Sequence, residues 1–172
     1  MKLRILASLL LVCAMAAMTA CDESATSPSE EIVRFGAQLL PASVVPPVSG
    51  IEAGGSGSVT ITFKVKRSTT GEMTSAIADF QVNLAGFPVA TALTAAHIHR
   101  GGSSNNGLAV VDTGLGQGEV IFGNLPVTFT KLGISVAPAL AQEIFDTPGS
   151  FNFDVHSVVN RDGMARGQLV KQ

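Results

Sequence analysis

The chain has 172 residues, 46% of them hydrophobic and 14% charged, with 18 glycines, 8 prolines and a formal net charge of −2. That length holds a leader and one ordinary domain, and the composition suits a turn-rich globular β protein rather than a coiled coil or a disordered chain. No basic surplus offers an electrostatic footprint to a nucleic acid, which excludes DNA and RNA as expected partners.

Met1 to Arg4 is short and basic, Ile5 to Met18 is a nearly unbroken apolar run, and the small residues Thr19 and Ala20 precede Cys21. This is the layout of a signal peptide over residues 1–20. The apolar run falls short of the roughly 20 residues that span a bilayer core, so a permanent membrane helix is not the expectation. Met18-Thr19-Ala20-Cys21 resembles the lipobox of bacterial lipoproteins, which implies cleavage before Cys21 and acylation of its thiol, with Met18 standing where leucine is more usual. Cleavage also removes Cys13 and leaves one cysteine, too few for a disulfide, a zinc finger or a redox CxxC pair. Residues 21–31 are polar, acidic and serine-rich, and read as a flexible tether. The predicted address is the cell envelope, lipid-anchored on the extracytoplasmic side of a membrane.

From residue 32 to 172 the dominant period is two. Val59, Ile61, Phe63 and Val65 alternate with Thr60, Thr62, Lys64 and Lys66, which predicts a strand with one dry and one wet face. Similar runs follow at Phe80–Leu84, Ala95–His99, Leu108–Asp112, Glu119–Phe122, Phe151–Ser157 and Ala165–Val170. Strands at this spacing, separated by Gly, Asn and Pro, predict an all-β antiparallel sandwich or barrel of the Greek-key, immunoglobulin-like or superoxide-dismutase-like kind. One short helix is expected near residues 135–146, where Val136, Leu140 and Ile144 recur at steps of four. Asn160-Arg161-Asp162-Gly163 supplies a hairpin turn between the last two long strands.

All three histidines fall in two strand candidates, His97 and His99 in one and His156 in the other. Residues two apart in a strand share a face at a spacing of about 6.5 to 7 Å, so His97 and His99 project together, as do Asp154 and His156. If the two strands are neighbours, three imidazoles and a carboxylate converge. Imidazole is a common ligand for zinc and copper, and one reading is a metal site at His97, His99 and His156. The other is a hydrogen-bonded polar cluster in which the histidines brace loops with Arg100, Asp154 and Arg166.

Further motifs accompany the histidines: Ala96-His97-Ile98-His99-Arg100-Gly101, Asn106-Gly107, Phe153-Asp154-Val155-His156-Ser157 and Ala165-Arg166-Gly167-Gln168-Leu169. With Phe35 to Leu39 and Val45-Pro46-Pro47-Val48 upstream, they resemble the CHRD (chordin-type) domain over about Ile32 to Gln172. Asp154 and Ser157 stand where that family usually has Asn and Thr, and Met164-Ala165 replaces its usual Glu-Ile. The resemblance implies a β-sandwich module of chordin and of bacterial exported proteins, with no established catalytic activity. It marks Asp154 and Arg166 as part of a structural or binding motif. The HxH strand also looks like the copper-binding strand of Cu,Zn superoxide dismutase, but a second histidine cluster and a cysteine pair are missing.

Enzyme signatures are weak: Gly55-Ser56-Gly57 is a flexible loop rather than a nucleophile elbow, and Gly114 to Gly118 lacks the Lys-Ser/Thr pair and helix of a phosphate loop. The leading expectation is a non-enzymatic, membrane-held module with an unidentified protein or envelope partner and no obligatory cofactor. The alternative is a copper- or zinc-binding protein with superoxide or other redox activity. Because the anchor depends on one thiol, Cys21→Ser is expected to move the protein from the detergent phase to the aqueous phase or to leave an unprocessed precursor. Detergent-phase partitioning and an intact-mass measurement check this.

Overall fold

The computed structural model describes residues 29–172, so the predicted leader, Cys21 and most of the predicted tether lie outside the described residues. In chain order the strands are β1 (Ser29–Leu39), β2 (Ser56–Arg67), β3 (Met73–Ala85), β4 (Leu93–Arg100), β5 (Leu108–Asp112) and β6 (Val127–Val136). Helix α1 (Pro138–Asp146) comes next, followed by β7 (Phe151–Ser157), β8 (Ala165–Gln168) and β9 (Val170–Lys171). They form a five-stranded sheet in the order β6-β3-β2-β1-β9 and a four-stranded sheet in the order β5-β4-β7-β8. Each strand pairing is antiparallel. The chain is thus the all-β sandwich with one short helix that its periodicity predicts.

Alternation explains which side chains meet between the sheets. Val59, Ile61, Phe63 and Val65 of β2 are buried, as are Ala76, Ala78, Phe80, Val82 and Leu84 of β3. From the other sheet come Ala96 and Ile98 of β4 and Phe151, Phe153 and Val155 of β7. Phe80 stacks on Phe153 across the gap, with ring centroids 5.8 Å apart. Helix α1 buries Ala141, Ile144 and Phe145, and places Phe145 against Phe35 and Phe63 at 5.4 and 5.2 Å.

Several boundaries differ from the sequence reading, the expected run Phe80–Leu84 being the end of β3, which starts at Met73. The expected helix start belongs to β6, whose last residues are Ser135 and Val136; the helix begins at Pro138. Alternation hides β6 because a bulge shifts its phase: Ala78 faces Ile134 while Phe80 faces Lys131, leaving an extra residue on β6. Gly133 turns there with φ of 73°, and its N–H donates to Asp79 Oδ1 at 2.8 Å. Glu119–Phe122 is not an extended strand: it makes a single bridge, Ile121 to Ala92, flanked by backbone hydrogen bonds from the Leu93 N–H to the Val120 carbonyl and from the Phe122 N–H to the Thr91 carbonyl. The run Ala165–Val170 divides at Leu169, where the chain leaves the four-stranded sheet and joins β1 in the other. Strand β1 starts at Ser29 opposite Arg67, so Ser29, Glu30 and Glu31 of the expected tether are part of the sheet.

The register of β7 sends Phe153 into the core, where it is fully buried. Phe153→Ala removes that ring and its stacking on Phe80, and is expected to destabilise the domain by about 3 to 5 kcal/mol. Denaturant unfolding followed by circular dichroism measures it.

Candidate functional site

Because Ile98, Phe153 and Val155 point into the core, His97 and His99 of β4 and Asp154 and His156 of β7 point to the outer face of the four-stranded sheet. Backbone pairing sets His97 opposite Asp154 and Ala95 opposite His156. The same row runs on to Asp112 of β5, opposite His97, and to Arg166 of β8, opposite Asp154. Ionisable residues therefore occupy one line across all four strands. This face is drier than alternation alone predicts, since every residue of β7 is buried.

Loops provide that cover. Arg166, buried to 2% exposure, donates from Nη1 to the carbonyls of Ser43 and Ser103 and from Nη2 to those of Gly102 and Asn105 and to Gln168 Oε1. Asn152 adds hydrogen bonds from Nδ2 to the carbonyls of Gly101 and Asn106. Together they fasten the 101–107 loop, which ends at Gly107. That residue has φ of 71°, and a Cβ there would collide with the Arg100 carbonyl.

Each histidine turns one ring nitrogen outward to an oxygen and the other inward. His156 Nδ1 lies 2.7 Å from the Arg161 carbonyl, and His99 Nδ1 lies 3.3 Å from the Gly107 carbonyl. A carbonyl only accepts, so both Nδ1 atoms carry the proton and both Nε2 atoms face inward. His97 has the opposite orientation, with Nε2 3.9 Å from Asp112 Oδ1 and Nδ1 directed to the cluster. Inside, Asp154 Oδ1 is 3.0 Å from His156 Nε2, 3.2 Å from His99 Nε2 and 4.0 Å from His97 Nδ1. His97 Nδ1 and His156 Nε2 are 3.2 Å apart. Among the described residues His99 Nε2 is buried with no hydrogen-bond partner, since its approach to Asp154 lacks hydrogen-bond geometry.

Lone pairs pointed at one another need a positive charge between them. A proton on His156 Nε2 supplies one. Burial, the largest single influence, would lower the His156 pKa, but the hydrogen bond and charge of Asp154, the Arg161 carbonyl and the charge of Asp162 together outweigh it and raise the pKa above 6.5. Burial likewise would raise Asp154, yet the imidazoles of His156 and His99 hold it below 3.8. His97 is pushed below 6.5, first by burial and then by the positive charge of His156. A metal ion is the other way to satisfy the cluster. Its four inner donors, His97 Nδ1, His99 Nε2, His156 Nε2 and Asp154 Oδ1, all lie within 4.8 Å of one another.

The sequence reading named the three histidines, Asp154 and Arg166, and the fold brings all five to this face. Asp154, expected as a motif residue, lies at the centre with the histidines around it. Arg100 stands apart, paired with Glu143 on the helix at 2.6 Å. Sequence reasoning missed Asp112, which only the β4–β5 register brings to His97, and Glu52. Glu52 is fully buried, and its Oε2 accepts from Ser157 Oγ at 2.7 Å and Asn160 Nδ2 at 2.6 Å, pinning the turn that carries Arg161. Its setting in a Gly-rich loop gave no signal. A wider cleft lined by Arg67, Met73, Pro138 and Gln142 shares no residue with the cluster.

The chain is a two-sheet sandwich with its histidines on the outer face of the smaller sheet. The CHRD domain family matches residues 35–169, and the chain belongs to that family. No curated protein and no solved structure matches it. Membership supports, at the level of the family, a non-enzymatic module.

Without metal, the His156–Asp154 pair should leave a signature. A histidine with a raised pKa contributes stability below its unfolded value and loses it as pH rises through the folded value; a carboxylate with a lowered pKa loses its contribution as pH falls through the folded value. The pair therefore contributes most between the ordinary values of 3.8 and 6.5. Histidine ring resonances of the chelator-treated protein are expected to titrate above 6.5 for His156 and below it for His97. The loss of stability in His156→Gln is expected to shrink as pH is raised from that window into the alkaline range.

Proposed function

We propose that this chain is a lipid-tethered, extracytoplasmic and non-enzymatic CHRD module that binds one divalent transition-metal ion, zinc or copper(II), through His97, His99, His156 and Asp154. The observation that carries the metal reading is the spacing of the inner donors. Ligands 2.0 to 2.2 Å from a tetrahedral ion lie roughly 3.3 to 3.6 Å from one another. Four of the six separations in the cluster are 3.0, 3.2, 3.2 and 4.0 Å and the other two do not exceed 4.8 Å, so the donors stand around those edges within the reach of small side-chain adjustments. The outward hydrogen bonds of His99 and His156 support it further, since a metal-binding imidazole commonly donates its other N–H to a carbonyl or carboxylate. Three imidazoles and one carboxylate, without sulfur, suit zinc or copper(II) better than copper(I), which favours thiolate and thioether. The tether rests on the leader and Cys21.

The full chain, purified without a histidine tag and treated with chelator, is expected to take up one equivalent of zinc or copper(II) in a calorimetric titration. His99→Ala and His156→Ala should each weaken binding by about 100-fold or more, at or beyond the upper end of what supporting residues cost. Absence of stoichiometric uptake by the parent protein would refute the metal reading and leave the cluster as a hydrogen-bonded brace.

A further inference from the structure

The row across the four-stranded sheet is graded in exposure. The side chain of Asp112 is 71% exposed, that of His97 20% and that of Asp154 4%, while Arg166 at the far end is 2% exposed. Charge is graded as well, from a carboxylate at the open end to a caged guanidinium at the closed end. A cation reaching the site is attracted at Asp112 and repelled beyond Asp154, so the β5 side is the electrostatically favoured approach. The donors are also unequal in how firmly they are held. His156 and His99 are fixed from outside by carbonyls at 2.7 and 3.3 Å, whereas His97 has only the Asp112 carboxylate at 3.9 Å. His97 is also the most exposed of the three rings.

Building on the metal reading, we propose that the centre is an exchange site: Asp112 receives the hydrated divalent ion, and His97 is the displaceable donor that opens and closes the coordination sphere. His99, His156 and Asp154 form the fixed part. In release, the bond from His97 Nδ1 to the ion breaks and an oxygen lone pair of water, or of Asp112, takes its place. The oxidation state of the ion is unchanged, and His97 keeps its Nε2 proton. Asp112 itself is held in place, since its Oδ1 accepts from the Gly114 N–H at 2.8 Å, and the Gly114 carbonyl accepts from Lys131. The partners implied are donors of zinc or copper(II) that bind through oxygen or nitrogen, with exchange at the β5 edge.

Stopped-flow measurement on the full chain tests this, using zinc chloride for uptake and a chromogenic chelator for release. Asp112→Asn, which keeps the acceptor for Gly114, is expected to slow zinc association by about tenfold, the loss of an attracting charge at the entrance. His97→Ala is expected to retain one equivalent of zinc and release it at least about tenfold faster, while His99→Ala binds zinc about 100-fold or more weakly than the parent. Glu143→Gln, a carboxylate outside the row, should change neither rate. An Asp112→Asn association rate equal to the parent's overturns the entry role. Weakening of zinc binding in His97→Ala as great as in His99→Ala, with both variants folded by circular dichroism, overturns the displaceable-ligand role. If the parent takes up no zinc or copper(II), it is the underlying metal reading that fails.

Discussion

The antiparallel register of β4 and β7 decides what this sheet can do. It sets His97 against Asp154 and brings His156 onto the same face, which places the four inner donors of the cluster together. A slip of one residue would turn the histidines into the sandwich and Ile98 and Phe153 out of it, which the packing of Phe80 on Phe153 opposes. The apolar core thereby fixes the position of the polar cluster. Specificity on one face is maintained by packing on the other.

Burying that polar face carries a cost that the loops offset. Arg166 is a buried cation without an ion-pair partner at hydrogen-bond distance among the described residues, and the cost of burying such a group falls as its donors are satisfied. Its two terminal nitrogens are, by carbonyls from two loops, while Nε has no partner among the described residues. The same hydrogen bonds fasten the loop that ends at Gly107, so solvation of the arginine and orientation of His99 are one structural event. Glu52 acts similarly on the other side, through Ser157 and Asn160.

The architecture was legible where alternation was clean. Val59 to Val65 and Phe151 to Val155 declared both their strands and their buried faces, and the Asn160 to Gly163 turn declared their connection to β8. It was illegible where a strand changed phase, since the bulge in β6 left Phe129 and Ile134 out of step and let Val136 pass as the start of a helix. Within the site, HxH and Asp-Val-His gave the inner donors because spacing of two puts neighbours on one face. Asp112 and the carbonyls of Gly107 and Arg161 gave no sign. A carbonyl carries no residue signature, and Asp112 meets His97 only through a strand pairing that periodicity does not specify.

The bulge in β6 bears on how the molecule meets copies of itself. β6 is an edge strand of ten residues, and an unbroken edge of that length presents a row of unpaired N–H and C=O groups to any passing chain. Wherever molecules meet at raised local concentration, such an edge is a hazard for filament growth. Here the turn at Gly133 interrupts the row, and Lys131 beside it is drawn to Glu119 at 2.7 Å. The irregularity that hid β6 from its own periodicity also keeps the strand from acting as a template for the next molecule.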